Sequence, residues 1–192
     1  MPRVSGLRER RHQPFWDTLI RTTGAPSPKL QPSTRLFGNA NVGNLSLTNL
    51  QVAGQLASDQ TYVAMALRNW MFFDGPNKRE NYQSCASQLH FTLTLGDKPQ
   101  FVAPAWYFPS GGGIYGGGIG DDAVYNNGYP SQGGIMKLAR PIIVPVRQNF
   151  NVNAEFFAVG SQSALDLLNG GDETDQKVIT FMIDGLQTRD VQ

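Results

Sequence analysis

The chain has 192 residues, enough for one domain with a sizeable core. Only 16% of them are charged, and sixteen Lys/Arg against fifteen Asp/Glu leave a formal charge of +1. The single cysteine excludes an intrachain disulfide framework, and no apolar run of about 18 residues is present to cross a membrane as a helix.

The small net charge hides an asymmetry. Residues 1–35 hold seven Lys/Arg against two acids, while residues 36–192 hold nine against thirteen. The first segment also carries Pro2, Pro14, Pro26, Pro28 and Pro32. Prolines at that density exclude a long helix or a central strand. Residues 1–35 therefore read as an extended basic arm, and residues 36–192 as the folded body. Arg3, Arg8, Arg10, Arg11 and Arg21 are candidates to meet a partner or nucleic-acid phosphates. Phe15, Trp16 and Ile20 have no local cover, so they are expected to anchor the arm in a groove of its own body or of a partner. No apolar stretch follows the N-terminal positive charge, so a secretory signal is not expected.

Residues 45–53 (Leu45, Leu47, Leu50, Val52) read as the first strand of the body. Residues 61–73 form the longest apolar run. Its β-branched and aromatic ends favour a long strand that is apolar on both faces. Residues 87–95 alternate cleanly: Leu89, Phe91, Leu93 and Leu95 on one side, His90, Thr92 and Thr94 on the other. Gly96-Asp97-Lys98-Pro99 turns the chain into a shorter strand over 100–108.

Residues 110–134 are glycine-rich and read as a long surface loop. Ile114, Tyr115, Tyr125 and Tyr129 are its candidate contacts with neighbouring subunits. Residues 141–147 form a strand in which Pro141 and Pro145 each remove a donor, which predicts an edge position or a bulge. Residues 149–159 alternate again, with Phe150, Val152, Ala154 and Phe156 on one side. A short helix is expected over 161–170. A last strand over 177–184 is expected to end at Asp184-Gly185, a hairpin turn into Leu186–Val191.

Seven or eight strands that do not alternate with helices exclude a parallel α/β sheet. The expected fold is all-β, an antiparallel β-sandwich of the jelly-roll kind behind a basic N-terminal arm.

Catalytic chemistry is hard to assemble from these residues. Gly111 to Gly116 matches G-x-G-x-x-G, but no strand–helix context surrounds it. Only two histidines are present, His12 and His90, too few for a cupin-type metal centre or an evident triad. Asp121-Asp122 and the acidic residues 172–175 read as solvated turns. Cys85 reads as a small buried apolar residue. No cofactor and no enzymatic activity are expected.

The run Leu138 to Arg147, the amide-rich strand Asn149 to Ala158 and the strand-dense body behind a basic arm resemble jelly-roll capsid or capsid-associated proteins of bacteriophages. That resemblance implies a virion subunit, assembled in the host cytoplasm. Its expected partners are copies of itself and other capsid proteins, with packaged nucleic acid reached through the arm. It implies no catalysis and transfers no site residue. The alternative is a β-sandwich carbohydrate- or receptor-binding module. There, loop aromatics such as Trp106, Tyr107 and Phe108 would stack on sugars.

Overall fold

The computed structural model describes residues 8–21, 31–38, 41–57, 59–73, 78–108, 115–117, 124–126, 136–157, 163–169 and 176–190. Their strands, in chain order, are β1 (Arg8–His12), β2 (Phe15–Arg21), β3 (Ser33–Leu36), β4 (Gln60–Phe73), β5 (Leu89–Leu95), β6 (Lys98–Pro104), β7 (Tyr115–Gly117), β8 (Val124–Asn126), β9 (Met136–Val144), β10 (Phe150–Phe156) and β11 (Lys177–Asp190). Helix α1 (Lys78–Gln88) joins β4 to β5, and helix α2 (Ala164–Asn169) lies between β10 and β11. One sheet runs β1-β11-β4-β9, with β2 also paired to β11; the other runs β3-β10-β5-β6. All these pairings are antiparallel.

The two sheets pack face to face over an aromatic core. Phe91 of β5 meets Phe181 of β11 with ring centroids 4.7 Å apart, and Phe108 closes on both rings. Phe37 and Phe150 form a second pair at 5.5 Å. The alternation over β5 holds: Leu89, Phe91 and Leu93 are buried, while His90, Thr92 and Thr94 stay partly accessible. Phe150, Val152 and Ala154 of β10 are likewise buried.

Within the first 35 residues, the described segments 8–21 and 31–35 depart from the sequence expectation. Residues 8–21 are not an arm outside the body; they are one strand of the larger sheet, broken at Gln13-Pro14. Arg8 lies opposite Asp190 and His12 opposite Leu186, and after the break Phe15 lies opposite Ile183 and Arg21 opposite Lys177. The break is pinned from the core. Tyr62 Oη lies 2.8 Å from the Gln13 carbonyl and 2.9 Å from that of Ile183, sharing its one proton between them. Its ring packs on Phe15 at 4.8 Å. Ser33–Leu36 pairs with β10 in the other sheet. Proline density misled here because Pro14 sits in the break, where no ladder donor is needed.

Four other elements differ from expectation. Residues 45–53 make turns, with only isolated bridges from Thr48 to Asp17 and from Val52 to Gln55. The strand read over 100–108 spans Lys98–Pro104, and a 3-10 turn follows over Ala105–Tyr107. The glycine-rich segment contains a short hairpin, β7 with β8. Finally, β11 does not turn at Asp184-Gly185 but runs on for 14 residues.

Among the described residues strand β9, which contains Pro141, is an edge strand and carries a bulge, the two placements expected of its proline. Ile142 lies opposite Ala64 and Lys137 opposite Ala66, so Leu138 to Pro141 bow out against the single residue Met65. Pro141 therefore loses no ladder bond.

Asp17 of β2 points inward opposite Phe181 and is 2% exposed. Its carboxylate accepts from Asn41 Nδ2 at 2.6 Å, from the Thr18 N–H at 2.9 Å and from the Phe37 N–H. Phe37 has a left-handed φ of 60°, a costly conformation that the carboxylate helps to hold. Asp17→Ala should cost about 2–4 kcal/mol, because buried donors lose their acceptor. Burial pushes the Asp17 carboxyl above its ordinary 3.8, while the bonds from Asn41, Phe37 and Thr18 pull it back. The folded chain thus binds this proton more tightly than the unfolded chain. Its contribution is full below the unfolded value and falls as pH rises through the folded one. Urea unfolding of wild type and Asp17→Asn at acid and neutral pH should show the wild type losing ground to the variant as pH rises. A constant gap would refute the reading.

Candidate interaction surface

The outward face of the larger sheet is built from cross-strand rows. Trp16 lies opposite Met182, which lies opposite Arg68; Thr18 opposite Thr180 and Trp70; Ile20 opposite Val178 and Phe72. Beyond the bulge at Met65, Leu186 lies opposite Val63, and Val63 opposite Ile143. The intervening rows, such as Phe15–Ile183–Leu67, face the core. Both faces of this sheet are therefore apolar.

The face has a rigid centre. Trp70 and Phe72 stack at 6.1 Å with planes 14° apart. Between the larger side chains the Thr18 and Thr180 hydroxyls bond at 3.0 Å and are buried, although no second layer of strands or helices among the described residues pairs with this face. Its periphery is open: Phe72 is 38% exposed, Met65 47% and Ile143 62%. A continuous outward apolar surface of this kind marks an interaction site. Its enrichment in Trp, Phe, Met and Arg matches the cores of protein interfaces.

The centre of this face holds one charge cluster, while Arg10 and His12 of β1 and Lys137 of β9 lie in its outer rows. The Asp184 carboxylate takes His12 Nε2 on one oxygen and Arg68 Nη2 on the other. On the opposite face at the β1 end, Arg11 Nε donates to Gln187 Oε1 at 2.7 Å, and Arg189 Nε donates to Glu9 Oε2 at 2.7 Å.

The outward face of the smaller sheet has the opposite character. Arg35, Asn153 and Thr92 form one row, and Ser33, Glu155 and His90 another. His90 sets its ring edge-on to Phe157 at 4.9 Å, on the polar side as expected.

The sequence-predicted contact residues fall into different places. Phe15 is core, and Trp16 belongs to the outward apolar face. Arg21 donates to the Leu168 carbonyl at the end of α2, which also receives Lys177 Nζ at 2.9 Å. Arg11 is tied to Gln187 inside the fold. Arg10 is exposed on β1, as is Arg8. Tyr115 and Tyr125 lie on the β7–β8 hairpin, opposite Asn126 and Gly116. Arg3, Ile114 and Tyr129 lie outside the described residues, as do most of the G-x-G-x-x-G match and both acidic clusters.

Of the loop aromatics, Trp106 and Tyr107 are exposed on the 3-10 turn, and Phe101 stacks on Tyr107 at 6.0 Å. Phe108 is buried in the core and cannot meet a ligand. Cys85 is fully buried on the inward face of α1, and burial pushes its thiol well above the ordinary range. Among the described residues no three His, Cys, Asp or Glu side chains gather as metal ligands. No helix among them is long and apolar enough to cross a membrane.

The rows containing Trp70, Phe72 and Met182 were not foreseen as a site. The available signal was the run 61–73, apolar at both parities, which leaves one face in need of a cover. Comparison with protein-family models, curated proteins and solved structures gave no match.

Proposed function

We propose that the chain is a structural subunit of a virion, a capsid or capsid-associated protein of the bacteriophage type, and that it folds as a jelly roll. The observation that carries this reading is the strand order. Counting β1–β2 as the first strand, and β3, β4, β5, β6, β9, β10 and β11 as the second to eighth, the sheets read 1-8-3-6 and 2-7-4-5. The first strand pairs with the eighth, the second with the seventh, the third with the sixth and the fourth with the fifth. That order supports one long antiparallel hairpin rolled up into two sheets, as in an eight-stranded jelly roll.

Jelly rolls also serve as lectins and cupins, so fold alone does not select the function. Two features favour a tiling subunit. Aromatic rings fill the space between the sheets, where a cupin would keep its ligand chamber. One outward face is apolar and the other polar, which suits a subunit buried on one side. Partners are then copies of itself and other capsid proteins. Arg8 and Arg10 on β1, with Arg3 before it, are the residues offered to packaged nucleic acid.

A second reading rests on Trp106 and Tyr107, exposed side by side with ring centroids 5.9 Å apart. They would serve as a stacking platform in a carbohydrate-binding module. Negative-stain microscopy of the purified full chain tests the first reading: closed shells or regular oligomers are expected. Small species only, together with glycan binding abolished by Trp106→Ala, would replace it with the second.

A further inference from the structure

We infer that the outward face of the larger sheet packs against the same face of a second copy of this chain, forming a two-fold dimer. The inference rests on the assembly reading above and names the surface that reading needs.

Three observations select a second copy. The first is area. Strand β4 has 14 residues; at about 3.3 Å per residue, and with up to four strands about 4.8 Å apart, the face measures roughly 800 Å². A stable interface takes about 800 Å² from each partner, so one face matches another. The second is chemistry. Trp16, Trp70, Phe72 and Met182 need an apolar counterpart. The chain's other sheet face offers Arg35, Asn153, Thr92 and Glu155 instead. A copy of the apolar face is the matching surface that the fold supplies, and a face that pairs with itself gives a closed, two-fold contact. The third is charge. The acid and the base at the middle of the face, Asp184 and Arg68, already meet each other. The other charged side chains of its rows, Arg10 and His12 of β1 and Lys137 of β9, lie on the outer strands, so the centres of two copies can close without an unpaired charge.

Sedimentation velocity and negative-stain microscopy on the full chain test this, with thermal melts to confirm folding. Phe72→Glu and Met65→Glu place a charge at accessible positions of the face, the second on a bulge that tolerates change. Val102→Glu, at a 62% exposed position of the smaller sheet, is the control. The expected result is a wild-type dimer at micromolar concentration, weakened about tenfold or more by either face variant and unchanged by Val102→Glu. A wild-type monomer, or face variants that associate like wild type, would overturn the inference. So would equal weakening by Val102→Glu, which would mean that unlike faces meet. Protection of the Trp16, Trp70 and Met182 side chains from hydroxyl-radical labelling in the monomer would assign the cover to another segment of the same chain, and would also overturn it. The two readings fail separately. A face-dependent dimer that never forms particles removes the virion reading and leaves this one. Particles formed equally well by Phe72→Glu do the reverse.

Discussion

Phe91→Ala is expected to destabilise the fold by about 3–5 kcal/mol, while Thr92→Ala, one residue on, costs under about 1 kcal/mol. Phe91 is fully buried on β5. Its ring bridges the two sheets, 4.7 Å from Phe181 and 5.8 Å from Phe108. Removing it leaves a cavity beside two rings, Phe181 of β11 and Phe108 after the 3-10 turn. Strands β5 and β11 are each held by their own sheet, so the space cannot readily collapse. Thr92 points the other way, into the polar row with Asn153 and Val102. Truncating it removes a methyl and a hydroxyl that water can replace. Urea unfolding of both variants measures the contrast. Equal losses would mean that the outward face of the smaller sheet is covered, and the distinction between a polar and an apolar outward face would fail.

That contrast was legible in the sequence because β5 and β10 each bury one face only. Period-two alternation is then unambiguous. The two-sided character of β4 was legible for a related reason: apolar residues occupy both parities from Tyr62 to Phe73. Other elements broke the rules that sequence reading depends on. Strand β2 reads Phe15-Trp16-Asp17-Thr18-Leu19-Ile20, apolar at both parities with a carboxylate at an inward position. It is a strand because Asp17 finds three donors inside and because β11 pairs along its whole length. Neither fact is local. Helix α1 turns Asn81, Cys85 and Gln88 toward the core, one face of a helix by spacing but largely polar by composition. Gln88 repays its burial by accepting the Ala164 N–H at the start of α2, 2.7 Å away and 76 residues later.

The candidate surface was legible only in outline. Apolar residues at both parities of β4 showed that a second face needed a cover. Which residues share that face depends on register. Trp16, Arg68 and Met182 come from three distant parts of the chain, and only the antiparallel ladders of β11 set them side by side. A basic, proline-spaced beginning also looked separable from the body. Arg8, Arg10, Arg11 and Arg21 sit on a broken strand whose inward residues, Phe15 and Leu19, complete the core.

Gly185→Ala is expected to cost at least about 3 kcal/mol, far more than a methyl group on a strand would suggest. Asp184-Gly185 has the composition of a hairpin turn, and in such a turn alanine would cost roughly 1 kcal/mol. Here the glycine serves close approach instead. A Cβ at residue 185 would stand 2.1 Å from the Val63 carbonyl oxygen and 3.0 Å from the Ala64 Cα, both backbone atoms of β4. Backbone cannot swing aside as a side chain can, so β4 and β11 would have to separate. The ladder shifts register at this point, between Asp184 and Gly185, and the bulge at Met65 lies opposite. Parting the strands would disturb two features at once: the Tyr62 anchor that holds the break between β1 and β2, and the Asp184 carboxylate that joins His12 to Arg68. The control is Gly38→Ala, where the added methyl meets the Arg35 carbonyl oxygen at an ordinary 3.5 Å. Little change, within about 0.5 kcal/mol, is expected there. Chemical denaturation of the two variants decides the matter. A loss at Gly185 no larger than at Gly38 would mean that β11 does not pass this close to β4, and that the long final strand gives way to the turn its Asp-Gly pair suggests.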